Sequence, residues 1–149
     1  MIATELLSRS RKEFGKKPSL SDFKLLKKLG EGKFGTVFAA LHIDSGSLFA
    51  LKKISKTVIK SHMMIDQLAV EIKIQSFCSH KNIIRLYDCF DDQESLYLIL
   101  EYMQDGTLFE FLKKTKTLPE REAAEKIKEV TQAVKYLHDH GIAHRDIKP

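Results

Sequence analysis

The sequence has only two cysteines, Cys78 and Cys89, among its 149 residues. Two are too few for a disulfide framework, and their spacing does not suit a zinc site even with His80 nearby. We expect two reduced thiols in or near the core. The chain also lacks an apolar run near the ~20 residues that span a bilayer, and its N-terminus lacks an apolar signal core. These absences predict an intracellular protein without a membrane anchor.

The composition, 43% hydrophobic and 30% charged, suits a globular chain of about one domain's length. No internal repeat or low-complexity stretch occurs. The net charge is +5, and much of the excess lies in a polar N-terminal stretch. We predict a flexible, solvated basic tail over residues 1–20 and no nucleic-acid partner, because no set of aromatic side chains for base stacking accompanies the charge. The missing apolar span likewise predicts no membrane partner. The basic residues are Arg9, Arg11, Lys12, Lys16 and Lys17.

Alternating or β-branched apolar segments separated by turn residues predict five strands. Between the third and fourth, residues 65–79 carry apolar side chains at helical spacing, including Met64, Leu68 and Ile72, and predict one long helix. An acidic turn, Asp91–Glu94, joins the last two strands. The predicted strands are 23–29, 36–43, 48–54, 85–90 and 96–101.

The composition then changes from strand-rich to helix-rich near Gly106. Thr107 can cap a short helix, and Pro119 can begin a longer one that ends at Gly141. We therefore predict an α+β fold with an N-terminal lobe at residues 21–104 and the first helices of a second lobe at residues 105–149. The apolar stripe of the longer helix comprises Ala123, Ile127, Val130, Val134 and Leu137.

Gly30, Gly32 and Gly35 fit the pattern G-x-G-x-x-G, which alone is weak evidence. A dinucleotide site needs a helix directly after the glycines, whereas a strand is predicted here. A Walker loop needs Ser or Thr where Phe34 stands. The remaining interpretation is a glycine hairpin whose backbone can lie close to phosphates, with Val37 as an apolar cover.

Lys52 lies on the third predicted strand, on the same face as Ala50. A lysine facing a cavity loses hydration unless an anion meets it. Glu71, on the following helix, is the natural carboxylate. We predict that the two form an ion pair that holds Lys52 on nucleotide phosphates and that breaks if the helix swings outward.

The apolar strand through Leu98–Met103 runs into the predicted lobe boundary, where its main-chain groups can bind an adenine edge. The chain ends in His144-Arg145-Asp146-Ile147-Lys148-Pro149. Asp146 can accept a proton from a substrate hydroxyl, and Lys148 can neutralise a phosphoryl group during transfer.

These motifs together resemble a serine/threonine protein kinase, and within that superfamily the Aurora kinases, over residues 23–149. Lys148 favours serine/threonine over tyrosine specificity. The similarity to Aurora sequences rests on three segments. They are Val70–Gln75, Asn82–Tyr87 and Tyr97–Tyr102, the last followed by Gly106-Thr107.

The resemblance implies a protein-kinase-like fold, ATP and Mg²⁺ as cofactors, and Asp146 and Lys148 as catalytic residues. It also implies protein substrates with serine or threonine acceptors, an activator protein on the N-terminal lobe, and a mitotic role at the centrosome or spindle, in cytoplasm and nucleus. The ATP-binding positions it implies are Leu29, Gly30, Gly32, Gly35, Val37, Ala50, Lys52, Glu71, Leu100, Glu101 and Met103.

Kinases of this type hold magnesium with an asparagine and an Asp-Phe-Gly motif that follow the catalytic loop, so we expect no metal ligand among these 149 residues. We therefore expect a truncated catalytic domain that transfers no phosphate alone. Three alternatives stay open: a non-catalytic binding module derived from a kinase, a fragment of a polo-like kinase, and a nicotinamide-dependent oxidoreductase.

Overall fold

The computed structural model describes residues 14–32, 35–61 and 65–148. Some residues on which the predictions above depend lie outside these ranges: Met64, Phe34, Arg9, Arg11 and Lys12. The chain forms two compact units. Of the described residues, the first unit holds those up to Ser79 together with Arg85–Tyr102, and the second holds His80–Ile84 and those from Met103 to Lys148. The domain limits predicted from the sequence stay predictions.

The first unit is built on an antiparallel sheet, which confirms the predicted five-stranded arrangement. The spatial order of its strands is β1-β2-β3-β5-β4, so β3 lies at the centre. β4 and β5 follow the helical segment in sequence, and β5 inserts beside β3. The strands are β1 (Phe23–Gly32), β2 (Gly35–His42), β3 (Leu48–Ser55), β4 (Leu86–Asp91) and β5 (Ser95–Glu101).

One side of this sheet, called the inner face here, packs against two helices. They are α1 (Lys56–Ser61) and α2 (Ile65–Phe77). Ile54 of β3, Ile59 of α1 and Ile72 of α2 are buried in one apolar cluster with side chains of β4 and β5. The predicted long helix is thus present, although it ends two residues before Ser79, and the short helix α1 was not predicted.

Both cysteines are buried free thiols, as expected. Cys89 belongs to the inner cluster, and burial raises the pKa of its thiol to about 12. Burial also raises the pKa of Cys78. Neither thiol is therefore ionised near neutral pH.

The opposite side, called the outer face, is aromatic. Phe23, Phe90 and Tyr97 are buried in its core, with the Phe90 and Tyr97 rings stacked at 4.8 Å. Residues 14–22, called the N-terminal strap here, lead into β1. The ring centroid of Phe14 lies 5.3 Å from that of His42 and 5.7 Å from that of Phe49. Residues 1–20 were predicted to form a flexible tail, but part of this segment, including Phe14, contacts the sheet.

The strap ends in a 3₁₀ turn, Leu20–Asp22, that Ser19 and Asp22 hold together. The Ser19 amide donates to Asp22 Oδ2 at 2.7 Å, and the Asp22 amide donates to the Ser19 carbonyl at 3.1 Å. Lys16 Nζ lies 2.8 Å from Asp22 Oδ1. Its hydrogen bond, with those from Ser19, lowers the pKa of Asp22 from 3.8 to about 2.

Strand β1 is an edge of the sheet, and its pairing with β2 is irregular. The register shifts between Leu25 and Lys28 and again between Lys28 and Gly30. Such shifts add an unpaired residue to one strand and increase its local twist. Leu29 therefore sits in an irregular part of the edge just before the first glycines.

The second unit contains α3 (Leu108–Thr115) and α4 (Glu120–Asp139). Thr107 Oγ1 accepts the Glu110 amide at 3.1 Å, which confirms the predicted cap of α3. Gly141 follows α4 with φ of 71°, and its amide bonds the His138 carbonyl, so the predicted helix end is also confirmed. On the predicted stripe of α4, Leu137 is buried whereas Ile127 and Val130 are exposed.

Candidate nucleotide and catalytic site

The glycine hairpin is formed by the end of β1 and the start of β2. Gly32 pairs with Gly35, and Gly30 pairs with Val37. Apart from the adjacent residues, a Cβ atom added to Gly30 or Gly32 would meet no heavy atom of the described residues within 4 Å. Space is therefore open beside these two residues.

Gly35 differs from the other two glycines. A Cβ atom on Gly35 would clash with the carbonyl oxygen of Lys53, 2.9 Å from the carbonyl carbon, and would lie 3.1 Å from Ile54 Cα. Because these are backbone atoms of the neighbouring strand β3, Gly35 is required for the close approach of β2 and β3. All three glycines were predicted from sequence to lie close to phosphates, and this separate role of Gly35 was not predicted. The only sequence signal for it was the position of Gly35 at the start of a strand.

Val37, Ala50 and Leu100 lie side by side on the inner face. Ala50 is in register with Ala39 of β2 and Leu100 of β5, and Val37 lies two residues from Ala39 along β2, on the same face. Opposed residues in an antiparallel sheet point to the same side. Ala50 is buried, while Val37 and Leu100 are half-buried. Three predicted site residues thus form one apolar surface.

Lys52 shares this face, in register with Val37 on one side and Leu98 on the other. Leu98 belongs to the inner cluster that also holds Ile72 of α2. The lysine is half-buried. As predicted from strand alternation, its side chain therefore points with Ala50 toward the side of the sheet that carries α2.

Glu71 precedes Ile72 on α2 and is exposed. Within residues 14–32, 35–61 and 65–148, the ion pairs at 4.0 Å or less do not include one between Lys52 and Glu71. The helix and the lysine are on the same side of the sheet, so their placement is compatible with the predicted pair. The pair itself stays a prediction.

The remaining nucleotide-binding candidates have different surroundings. Leu29 is 40% exposed in the irregular part of β1. Glu101 pairs with Phe49, so its side chain lies on the outer side, where Oε2 accepts the Arg85 amide at 3.1 Å. Its backbone amide also donates to the Arg85 carbonyl. Met103 belongs to the second unit and is 53% exposed.

Asp146 and Lys148 follow α4 in the second unit. Lys148 Nζ donates to Asp146 Oδ2 at 3.0 Å, and both side chains are 72% exposed. The Asp146 amide donates to His144 Nδ1 at 3.2 Å. Arg145 has φ of 62°, a left-handed conformation that is uncommon for a residue other than glycine. The loop therefore presents a carboxylate and an ammonium together.

Within the part of the chain that the structure describes, no three His, Cys, Asp or Glu side chains are grouped as metal ligands would be. The described helices include none with the length and apolar character needed to cross a membrane.

The comparisons with known proteins decide the family. A model of the protein kinase domain matches residues 23–149. The chain belongs to the protein kinase domain family. A glycine-rich hairpin, a lysine on the third strand and a His-Arg-Asp sequence are features of kinase domains, and they occur in this chain in that order. Strand β2 follows the glycines directly, so the structure does not support the dinucleotide alternative.

The similarity to Aurora kinases predicted from the sequence is also confirmed. The chain is 45% identical over 131 residues to an Aurora kinase of Candida albicans, covering 88% of this chain and 25% of that protein. It is 43% identical over 134 residues to serine/threonine-protein kinase Aurora-1 of Arabidopsis thaliana, covering 90% and 46%. It is 40% identical over 131 residues to Aurora kinase B of Mus musculus, covering 88% and 38%. The chain therefore spans less than half the length of these relatives.

Proposed function

We propose that this chain supplies the ATP-binding lobe and the catalytic loop of an Aurora-type serine/threonine protein kinase, which transfers the γ-phosphoryl group of ATP to hydroxyl groups of protein substrates. The observation that carries the proposal is the placement of Lys52. It is a half-buried cation on an apolar face, directly opposite Val37 of the glycine hairpin. A cation in such surroundings is favourable when an anion, such as a phosphate, meets it.

The inner face fits the nucleotide in two respects. Val37, Ala50 and Leu100 offer an apolar surface of the kind that a flat base packs against. The backbone at Gly30 and Gly32 is open, which allows phosphate oxygens to approach its amides. ATP supplies the phosphoryl group when bound.

The catalytic loop supplies the proton acceptor. Asp146 takes the proton from the substrate hydroxyl as the oxygen bonds to phosphorus, and Lys148 lies close enough to Asp146 to neutralise negative charge at the same place. The bridging oxygen of ATP departs with ADP. We expect the Mg²⁺ ligands, and the segment that binds the substrate, outside this sequence, so the 149-residue chain alone should transfer no phosphate.

Glu71 would orient Lys52 in the active state. Formation of this ion pair requires only α2 and the adjacent strand β3, so movement of α2 would control it. A protein that binds the N-terminal lobe and holds α2 inward would act as an activator. By similarity to the Aurora kinases, we propose a mitotic role at the centrosome or spindle.

ATP binding by the 149-residue chain tests the proposal directly. Calorimetric titration with ATP should show binding that competes with ADP but not with NAD. Lys52→Met should weaken it roughly tenfold to a hundredfold, the loss expected when one hydrogen bond to a charged phosphate is removed. Lys53→Met is the matched control, because Lys53 is the next residue, is exposed and lies on the other side of the strand.

Equal weakening by both substitutions would show a non-specific charge effect and would refute the assignment of Lys52. Urea unfolding of both variants should give the same midpoint as the parent chain. In a longer polypeptide that completes the catalytic domain, Lys52→Met should abolish phosphate transfer to a protein substrate. Retained transfer in that variant would also defeat the assignment.

A further inference from the structure

The hydroxyl of Ser19 is central to the N-terminal strap. Its Oγ donates to Asp22 Oδ2 at 2.8 Å, and the Ser19 amide donates to the same oxygen at 2.7 Å. The Ser21 hydroxyl lies 2.9 Å from Ser19 Oγ. Ser19 is nevertheless exposed, with extended backbone angles of φ −140° and ψ 166°. It is therefore a structural hydroxyl that an enzyme in solution can reach.

The charges around Ser19 are arranged to respond to a new anion. The lowered pKa of Asp22 leaves it ionised at neutral pH, and among residues 14–32, 35–61 and 65–148 its ion-pair partner is Lys16, at 2.8 Å. A phosphate on Ser19 would add about −1.5 to −2 charges within a few ångströms of the Asp22 carboxylate. One ammonium group cannot neutralise both anions. The phosphate would also remove the O–H donor that Asp22 Oδ2 accepts.

We propose that Ser19 is a phosphorylation site whose modification detaches the N-terminal strap from the outer face of the sheet. In the reaction, Ser19 Oγ attacks the γ-phosphorus of ATP, the bond from that phosphorus to the bridging oxygen breaks, and ADP leaves. The hydroxyl proton passes to the base of the modifying enzyme. That enzyme is a separate serine kinase, so the inference does not rest on the function proposed above.

The residues before Ser19 indicate which class of kinase would recognise it. Lys16 and Lys17 lie three and two residues upstream, and both are exposed. Basic residues on this side of a target serine suit a kinase whose substrate groove is acidic, because charge pattern is a common determinant of kinase specificity. Ser21 lies further from the lysines, so Ser19 is the better target of the two.

Besides the turn, the strap is held by Phe14 and Leu20, which pack against the outer cluster, and by the Ile43 amide, which donates to the Asp22 carbonyl at 2.9 Å. Detachment requires the phosphate to open the turn and thereby release these contacts. Phe14 packs on His42, Phe49 and Phe23, and the 3₁₀ turn fixes the direction from which it arrives. If the turn opens, Phe14 is no longer held against the rings of the outer face, and these rings become accessible to solvent. The modification would therefore expose the rings of Phe23 and Phe49.

Hydrogen exchange on the 149-residue chain tests this effect. Phosphoserine placed at residue 19 during synthesis should increase exchange about tenfold at the Ser19, Asp22 and Phe23 amides, since each donates a hydrogen bond within the strap. Ser19→Ala removes only the hydroxyl and should give a smaller increase. Asp22→Asn combined with phosphorylated Ser19 should slow exchange again, because the repulsion is gone and the amide can donate to phosphate.

Phosphoserine at residue 76 is the matched control. Ser76 is exposed on α2, outside the strap, and its hydroxyl donates to the Lys73 carbonyl at 2.9 Å. It should leave exchange in the strap unchanged. If phosphorylated Ser19 exchanges no faster than the unmodified chain, or if the control has the same effect, the proposed detachment is wrong.

A second experiment tests the site itself. The chain is incubated with Mg-ATP and a purified serine kinase that prefers upstream basic residues, and mass spectrometry locates the phosphate. We expect modification at Ser19, and roughly tenfold slower modification when Lys16 and Lys17 are both changed to alanine, a loss typical of removing charge contacts. Failure to modify Ser19, or equal rates for the parent chain and the variant, overturns the assignment.

Discussion

Replacing Gly35 by alanine would force a methyl group into the backbone of the neighbouring strand. The added Cβ would clash with the Lys53 carbonyl oxygen and would lie 3.1 Å from Ile54 Cα. Neither atom belongs to a movable side chain. Relief therefore requires β2 and β3 to move apart at the pair formed by Gly35 and Ile54.

The expected loss follows from two effects. Overpacking of a well-packed site costs about 1–3 kcal/mol, and separating the strands weakens one or two backbone hydrogen bonds at about 1 kcal/mol each. We expect Gly35→Ala to lower the free energy of unfolding by about 2–5 kcal/mol. Urea unfolding followed by far-ultraviolet circular dichroism measures it, since the chain has no tryptophan for fluorescence.

Gly30→Ala and Gly32→Ala are matched controls, because a Cβ at either position meets no atom of the part of the chain that the structure describes within 4 Å, apart from its sequence neighbours. The free energy of unfolding of both variants should lie within about 0.5 kcal/mol of that of the parent chain, the usual range for surface substitutions. The reasoning would be refuted if all three substitutions destabilised the chain equally, or if Gly35→Ala cost less than about 0.5 kcal/mol.

Two further predictions concern carboxylates of the first unit. The lowered pKa of Asp22, about 2 against 3.8, means that its stabilising contribution is complete above pH 3.8 and disappears as the pH falls through 2. Between pH 5 and pH 2, the free energy of unfolding in urea should lose about 1 kcal/mol from this group in the parent chain and nothing from it in Asp22→Asn. The same pH dependence of the unfolding free energy in both proteins would contradict the prediction. Asp92 Oδ1 accepts the Glu94 and Ser95 amides at 2.8 and 2.7 Å, and Oδ2 accepts the Tyr97 hydroxyl at 2.9 Å. Asp92→Ala should therefore cost about 2–3 kcal/mol in urea unfolding and Tyr97→Phe about 1 kcal/mol, whereas equal losses would show that the turn amides do not depend on Asp92.

The sheet could be predicted from sequence because its determinants are local. Alternation of apolar residues places Lys52 and Ala50 on one face, and the glycines mark the first hairpin, so strand limits and site residues on β2 and β3 follow directly. Thr107 and Gly141 likewise act within one helical turn of their own positions. These features require no knowledge of distant residues.

Helix α1 could not be predicted in this way. It has six residues, which is too short to show a helical period, and it is held by contacts that are distant in sequence. Lys56 Nζ bonds Asp91 Oδ2 at 2.7 Å, and this hydrogen bond lowers the pKa of Asp91 against the opposing effect of its burial. The predicted pair of Lys52 with Glu71 has the same character, because it depends on the position of α2 rather than on local sequence.

The two register shifts in β1 also affect how the molecule meets others of its kind. An edge strand with register shifts presents its free amides and carbonyls at irregular spacing. A strand from another molecule therefore cannot extend the ladder of backbone hydrogen bonds along β1. Lys24 and Lys27 add like charges along the same edge and repel a second copy, whereas Lys28 is paired with Glu31. The two register shifts in β1, one of which includes Leu29, thus also protect the chain against edge-to-edge aggregation.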